Sequence, residues 1–172
     1  MQKTDGNCQI INLGCGFDTL YFRLRDTTHQ VKNFIELDFP TVTARKCYTI
    51  KRNKTLLGKI HDEDGEVRLS PTDLHGPSYH LMGVDLRNLD EVDSKLQQAE
   101  IDYSLPTIFL AECVLVYIEA QNCKNLLKWI SNKFSCAVLV NYEQVRFLKL
   151  FINILIRKKL AVIFKAKYVA YF

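Results

Sequence analysis

The sequence predicts an α/β domain with a mainly parallel β-sheet and helices on both of its faces. Three observations lead to this fold class. Short apolar runs alternate five times with segments of helical spacing, a glycine turn follows the first run, and acidic residues end the next three. A chain of 172 residues is long enough for one such domain with a sizeable core. We place this domain at residues 1–145.

Each predicted strand is a short apolar run that ends at a turn residue or at a charge, a pattern typical of buried strands. The first run stops at Gly14 and the second is closed by Pro40. The five predicted strands are Cys8–Leu13, Asn33–Phe39, Tyr79–Val84, Thr107–Ala111 and Cys136–Asn141.

The segments between these runs carry apolar residues at helical spacing, with charges on the opposite face. The predicted helices are Asp18–Arg25, Thr41 to about Lys51, Leu89–Ala99 and Glu119–Phe134. Only Lys54–Pro77 breaks the alternation. It is polar and contains several Gly, Asp and Pro residues, so we expect a loop or an insertion of low order there.

Charge is unevenly distributed along the chain. The net charge is +4, but residues 146–172 hold seven basic residues and no acid, so residues 1–145 carry −3. This argues against a nucleic-acid-binding protein. The basic, apolar segment 146–172 is predicted to be a helical tail. Such a helix either covers a bare sheet face or lies on an anionic membrane, and we expect the former.

Six cysteines and four histidines show no spacing that suits a metal ion or a redox pair. We therefore expect buried, reduced thiols, surface histidines at His61, His75 and His80, and no metal. The N-terminus has no apolar signal region, and no apolar run is long enough to span a bilayer. These features predict a soluble, cytoplasmic protein, which we expect to be a monomer.

The predicted strand ends point to a ligand site. In an open α/β sheet the ligand lies outside the carboxyl ends of the strands. The first strand ends in Gly14-Cys15-Gly16, and the next three end in Asp38, Asp85 and Glu112. Glycines permit close approach of the backbone, and strand-end acids can accept hydrogen bonds from ribose hydroxyls and from an adenine amino group. Each acid alone could instead be a helix cap, but together they indicate a nucleoside site.

Local features disfavour a dinucleotide at this site. The dinucleotide fingerprint requires a third glycine where Thr19 stands. Asp18 adds negative charge at the helix N-terminus that a pyrophosphate would occupy. This environment suits a cofactor that carries a positive sulfonium better than a diphosphate.

Five sequence blocks, in order, carry a family resemblance. They are Asn12-Leu13-Gly14-Cys15-Gly16-Phe17-Asp18-Thr19, Glu36-Leu37-Asp38-Phe39-Pro40, Gly83-Val84-Asp85-Leu86-Arg87, Ala111-Glu112-Cys113-Val114-Leu115-Val116-Tyr117 and Asn141-Tyr142-Glu143-Gln144. Over residues 8–145 the sequence resembles the leucine carboxyl methyltransferase family. The resemblance implies a class I, Rossmann-like methyltransferase fold that binds S-adenosylmethionine. It also implies a substrate, the C-terminal leucine of the protein phosphatase 2A catalytic subunit.

The resemblance further assigns the cofactor-binding residues. Gly14 is expected against the methionine part, Asp38 at the ribose, Asp85 with Leu86 around the adenine, and Glu112 beside the cofactor. The Asn-Tyr-Glu-Gln block favours the phosphatase enzyme over the related methyltransferase of tRNA wybutosine modification. Tyr117 is either a residue of the substrate channel or a half-buried aromatic at a strand end.

The sequence departs from the family pattern at both ends. The basic N-terminal segment of the family is missing, and residues after about 145 do not align with it. A non-catalytic fragment therefore stays an alternative to an active enzyme. No catalytic residue is predicted, because a substrate carboxylate is already ionised at neutral pH. Arg23, Arg25 and Arg87 could pair with that carboxylate, but we expect them to be solvated.

Overall fold

A single mixed β-sheet organises the chain in the computed structural model, which describes residues 6–27, 30–61 and 66–143 and the backbone of 160–166. Helices pack on both faces of the sheet. The elements are β1 (Gln9–Leu13), α1 (Leu20–Arg25), β2 (Asn33–Asp38), α2 (Pro40–Arg52), α3 (Lys54–Ile60), β3 (Arg68–Leu69), β4 (Leu74–His75), β5 (Tyr79–Gly83), α4 (Leu89–Gln98), β6 (Thr107–Glu112), a 3-10 helix (Leu115–Tyr117), α5 (Ala120–Lys133), β7 (Ala137–Glu143) and β8 (Leu160–Ala166).

The strand order of the sheet is β3-β4-β5-β2-β1-β6-β7-β8. The six strands from β5 to β8 pair in parallel, whereas β3 and β4 add an antiparallel edge. Starting from β1, the chain adds β2 and later β5 on one side of β1, and then crosses back to add β6, β7 and β8 on the other side. The strand order therefore reverses next to β1, and such a reversal opens a crevice at the carboxyl ends of the strands.

Alternating side chains of the central strands supply two cores. Ile11, Ile35 and Phe109 point to the face covered by α4 and α5. On the other face, Ile10 and Phe34 pack with residues of α1, α2 and α3. This period-2 division is what a sheet that is covered on both faces requires. The predicted α/β fold class and all five predicted strands are confirmed.

Two predictions about local structure are wrong. The segment Lys54–Pro77, expected to be a loop, contains helix α3 and the short strands β3 and β4. Asn53 caps α3, because its Oδ1 accepts hydrogen bonds from the N–H groups of Thr55 and Leu56 at 3.0 and 3.2 Å. Strand β4 joins the sheet by pairing with β5.

The helical tail predicted for residues 146–172 is also wrong where the structure describes it. Leu160–Ala166 form β8, which pairs in parallel with all seven residues of β7. Pairing with a preformed sheet edge satisfies the backbone of an apolar segment as well as a helix does. The rest of the predicted tail, 146–159 and 167–172, lies outside the described residues.

The described residues also show the state of the cysteines, the burial of a histidine and the length of the helices, for which the sequence made predictions. All six cysteines are unpaired; four of them are buried, Cys113 is half-buried and Cys136 is exposed. His80 is only 7% exposed, so the prediction of a surface histidine is wrong for that residue. No helix in this part of the chain is long and apolar enough to cross a membrane.

Candidate cofactor site

A cavity of about 250 Å³ opens at the carboxyl ends of β1, β2, β5 and β6. Parallel registers bring these ends together, since Leu13 pairs with both Leu37 and Ala111 and Asp38 pairs with Gly83. Four of the five predicted cofactor residues line the cavity. The lining comprises Gly14, Asp38, Phe39, Val84, Asp85, Leu86, Arg87, Cys113, Val114, Tyr117 and Ile118.

Gly14 forms the floor of the cavity at the end of β1. Its N–H donates to the carbonyl oxygen of Leu37 at 2.8 Å, and its φ is +64°. A Cβ atom at this position would lie 2.4 Å from Cγ2 of Val114. Conformation and close packing both require glycine here.

Asp38 anchors the glycine turn from the neighbouring strand. Its Oδ2 accepts a hydrogen bond from the N–H of Gly16 at 2.7 Å, and its Oδ1 accepts one from the N–H of Phe39 at 2.7 Å. A carboxylate offers about four acceptor positions. Each oxygen of Asp38 therefore keeps capacity toward the cavity, as ribose hydroxyls would require.

Asp85 is held by Arg87 in a bidentate ion pair. Nε of Arg87 lies 2.9 and 3.0 Å from the two carboxylate oxygens of Asp85, and Nη2 lies 2.5 Å from Oδ2. Hydrogen bonding from Arg87 lowers the pKa of the Asp85 carboxyl. Arg87 is exposed, as expected, with 55% of its side chain accessible, but it also lines the cavity and holds one of the cavity's acids in place.

Apolar and aromatic side chains complete the walls. Leu86 is buried at 7% exposure, while Phe39 and Tyr117 are 50% and 83% exposed. Because Tyr117 is so exposed, it is not the half-buried aromatic that was one of its two interpretations, and it lines the cavity.

Glu112 differs from the other predicted site residues. It ends β6 with an exposed side chain and is not among the residues that line the cavity. The next residue, Cys113, has a φ of +53° and turns the chain into the cavity wall. The assignment of Glu112 to the cofactor stays a prediction.

Sequence reasoning missed a buried ion pair beneath the glycine turn. Nζ of Lys46 lies 2.6 Å from Oε2 of Glu36, and the side chains are 4% and 0% exposed. The Tyr79 hydroxyl donates to the same oxygen at 2.6 Å. Burial raises the pKa of Glu36, whereas Lys46 and Tyr79 oppose that rise.

This ion pair also supports the turn from below. Lys46 Nζ donates to the backbone oxygen of Asp18 at 2.7 Å, and Asn12 donates to the Asp18 carboxylate at 3.0 Å. The glycine turn is therefore tied to α2 as well as to β2. A glutamate between the apolar residues Ile35 and Leu37 of β2 was the one sequence signal of this network.

Comparison with known proteins identifies the class to which this fold and cavity belong. The family model for leucine carboxyl methyltransferase matches residues 2–131. The chain belongs to the leucine carboxyl methyltransferase family.

Individual relatives agree with the family model. The chain is 42% identical over 150 residues to leucine carboxyl methyltransferase 1 of Caenorhabditis elegans, and 40% identical over 149 residues to that of Bos taurus. These matches cover 85% and 84% of this chain but only 45% and 44% of the relatives. It is also 36% identical over 139 residues to tRNA wybutosine-synthesizing protein 4 of Homo sapiens, covering 80% of this chain and 20% of that protein. The chain thus spans less than half of the length of these relatives.

Proposed function

We propose that this chain forms the cofactor-binding part of an S-adenosylmethionine-dependent methyltransferase. The proposed substrate is the C-terminal leucine carboxylate of the protein phosphatase 2A catalytic subunit. One observation carries the proposal: a single cavity in a leucine carboxyl methyltransferase fold gathers the glycine turn, Asp38 and Asp85. When bound, S-adenosylmethionine supplies an electrophilic methyl group.

The cavity residues fit the nucleoside part of that cofactor. Asp38 keeps acceptor capacity beyond its two backbone hydrogen bonds, so it can bind ribose hydroxyls. Leu86 and Val84 offer apolar surface for a purine ring next to Asp85. Because Arg87 donates to both oxygens of Asp85, Arg87 must shift or share those oxygens when an adenine amino group binds.

The electrostatics of the site also suit a cation. Asp38 and Asp85 line the cavity against one cation, Arg87, so an excess of negative charge remains, and Asp18 lies just beyond the glycine turn. Asp18 lies just before α1, where its Oδ1 accepts a hydrogen bond from the N–H of Leu20 at 3.0 Å. A second anionic group at that helix N-terminus would be repelled, which favours a sulfonium cofactor over a dinucleotide.

The proposed reaction needs no general base from this chain. A C-terminal carboxylate is ionised near neutral pH, so the residues must align the reactants and exclude water. Such alignment can lower a barrier by about 7–11 kcal/mol. In this proposal Tyr117 and Phe39, which are exposed at the cavity, cover the reacting groups and contact an apolar substrate side chain.

Transfer of a tritiated methyl group tests the proposal. We expect the full chain to form a base-labile ester on a peptide with a free C-terminal leucine, and none on the same peptide with a C-terminal amide. Asp38→Ala should abolish the transfer, whereas Asp90→Ala on the exposed start of α4 should not. Methylation of tRNA would instead support the wybutosine-type function. A folded chain that modifies neither acceptor would support the non-catalytic alternative.

A further inference from the structure

Glu143 is a buried acid that the proposed function leaves without a role. Alternate residues of β7 point to the core formed with α4 and α5, and the first two on that face, Ala137 and Leu139, are apolar. The next two on the face, Asn141 and Glu143, are polar, and each is only 5% exposed. A charged side chain on the core side of a strand must have a partner.

The partner of Glu143 is the chain segment that leaves β6. Oε1 accepts a hydrogen bond from the N–H of Leu115 at 3.0 Å, while Oε2 is buried with no hydrogen-bond partner among the described residues. With its amide nitrogen turned toward these acceptors, Asn141 donates to the Ala111 oxygen at 3.1 Å and to Oε1 at 3.3 Å. Glu143 therefore holds the segment that follows β6, and Asn141 links Glu143 to the end of β6.

That segment, Cys113–Ile118, forms one wall of the cavity through four of its six residues. The backbone of this wall is irregular. Cys113 has a φ of +53°, a conformation that persists in a non-glycine residue only when its surroundings enforce it. One such restraint is the hydrogen bond from the N–H of Cys113 to the Tyr142 oxygen at 2.8 Å.

Glu143 acts at the other restrained point of the wall. The N–H of Leu115 begins the 3-10 helix, where backbone donors lack intrahelical partners, and Glu143 accepts from it. The preceding residue, Val114, packs against Gly14 so closely that no side chain fits between them. Burial raises the pKa of Glu143, and the backbone N–H groups of residues 114–116 oppose that rise.

We infer that Glu143 is a positioning residue for the cofactor cavity. By accepting from Leu115, it holds the Cys113–Ile118 wall where Val114 closes against Gly14 and Tyr117 lines the opening. Glu143 itself does not line the cavity, so its effect on the cofactor passes through the wall. The inference rests on the proposed function, since it identifies what keeps the proposed cofactor site in shape.

Two variants of Glu143 and one control test the inference in the full chain. Glu143→Gln keeps an oxygen of similar reach for Leu115, whereas Glu143→Leu keeps the bulk and removes the acceptor. Leu139→Ala lies on the same buried face of β7 and weakens the core that Leu139 shares with Leu115, but it leaves the hydrogen bond between Glu143 and Leu115 in place. Calorimetric titration with S-adenosylhomocysteine gives the affinity, and NMR hydrogen exchange reports the Leu115 amide against that of Ile11 in the core.

We expect Glu143→Leu to weaken binding by about tenfold or more, which corresponds to the loss of one buried hydrogen bond. We also expect its Leu115 amide to exchange faster while the Ile11 amide is unaffected. Glu143→Gln should stay within about threefold of the unmodified chain, and Leu139→Ala should lower the melting temperature without changing the affinity. Unchanged affinity and exchange in Glu143→Leu, or equal effects of Glu143→Leu and Leu139→Ala, would overturn the inference.

Failure of the proposed function gives a different result. If the unmodified, folded chain does not bind S-adenosylhomocysteine, the cofactor assignment is wrong. The exchange measurement then still decides whether Glu143 positions the wall, because it uses the unliganded chain. A Leu115 amide that is protected in the unmodified chain and in Glu143→Gln, but not in Glu143→Leu, supports positioning, and equal protection in all three contradicts it.

Discussion

Replacing Lys46 by methionine tests the buried ion pair beneath the glycine turn. The substitution keeps most of the apolar stem but leaves Glu36, whose side chain is 0% exposed, without its cation. Removing one partner of a buried ion pair typically costs about 3–5 kcal/mol, because the other charge stays desolvated. Lys46→Met also removes the hydrogen bond to the Asp18 oxygen, so we expect the upper half of that range.

Urea unfolding at pH 7.5 gives the size of this loss. With an m-value of about 2 kcal/mol/M, a loss of 4 kcal/mol lowers the midpoint by about 2 M. The loss should shrink at lower pH, because protonation of Glu36 removes the unpaired charge. Lys59→Met is the matched control: its pair with Asp26 is exposed and should contribute about 0–1 kcal/mol.

The double variant Glu36→Gln with Lys46→Met separates the ion pair from simple packing. It removes both charges, so we expect it to recover most of the stability that Lys46→Met loses. Recovery of a folded state in the double variant would support the reasoning even if Lys46→Met alone does not fold. A Lys46→Met chain that unfolds at the same urea concentration as the Lys59→Met control would refute it.

Two further predictions follow from the glycine turn and from the cross-strand pair formed by His75 and His80. Gly14→Ala should lower the free energy of unfolding by roughly 2–4 kcal/mol, because a Cβ would lie 2.4 Å from Val114 on a left-handed backbone. Gly16→Ala meets open space and should cost about 1–2 kcal/mol for its left-handed backbone alone. Equal losses of stability in urea unfolding would contradict this difference. Burial lowers the pKa of His80 to about 4, and Nδ1 of His80 lies 3.0 Å from Nδ1 of His75. Since the unfolded chain takes up a proton near pH 6.5, stability is full above that pH and falls below it, by about 2 kcal/mol at pH 5. The melting temperature of His80→Gln should change less between pH 7.5 and pH 5 than that of the unmodified chain. An identical change would contradict the assignment of this pH dependence to His80.

The central strands and the location of the site could be predicted because their signals are local. Each central strand is a mostly apolar run, and parallel strands bring their carboxyl ends to one edge whatever the details of packing. That rule alone placed Gly14, Asp38 and Asp85 together, and they line one cavity. Only Glu112 lies outside the lining, because the chain turns at Cys113 just after it.

The edges of the sheet could not be predicted, because their strands carry no local signal in the sequence. Strands β3 and β4 have two residues each, too few for any periodicity. They exist because β5 offers a partner to β4, and β4 offers one to β3. The apolar, basic segment around Leu160–Ala166 fits a helix or a strand equally well by composition. Its pairing with β7 decides between them, and this pairing has no local signal.

The burial of polar residues beside distant partners could not be predicted from the sequence either. Lys46 and His80 look like surface residues in sequence, since lysine and histidine are usually exposed. Their burial depends on Glu36 and His75, which reach them only after the sheet has formed. Glu143 belongs to the same class, because its partner Leu115 is 28 residues away in the chain.

The binding of S-adenosylhomocysteine to the full chain tests the central claim most directly, and titration calorimetry measures it. We predict saturable binding at one site that weakens by at least about tenfold in Asp38→Ala, through lost ribose hydrogen bonds and a loosened glycine turn. The exposed-surface control Asp90→Ala should bind as the unmodified chain does. A chain shown to be folded that binds no S-adenosylhomocysteine, or an Asp38→Ala variant that binds it with unchanged affinity, would contradict the assignment of this cavity to the cofactor.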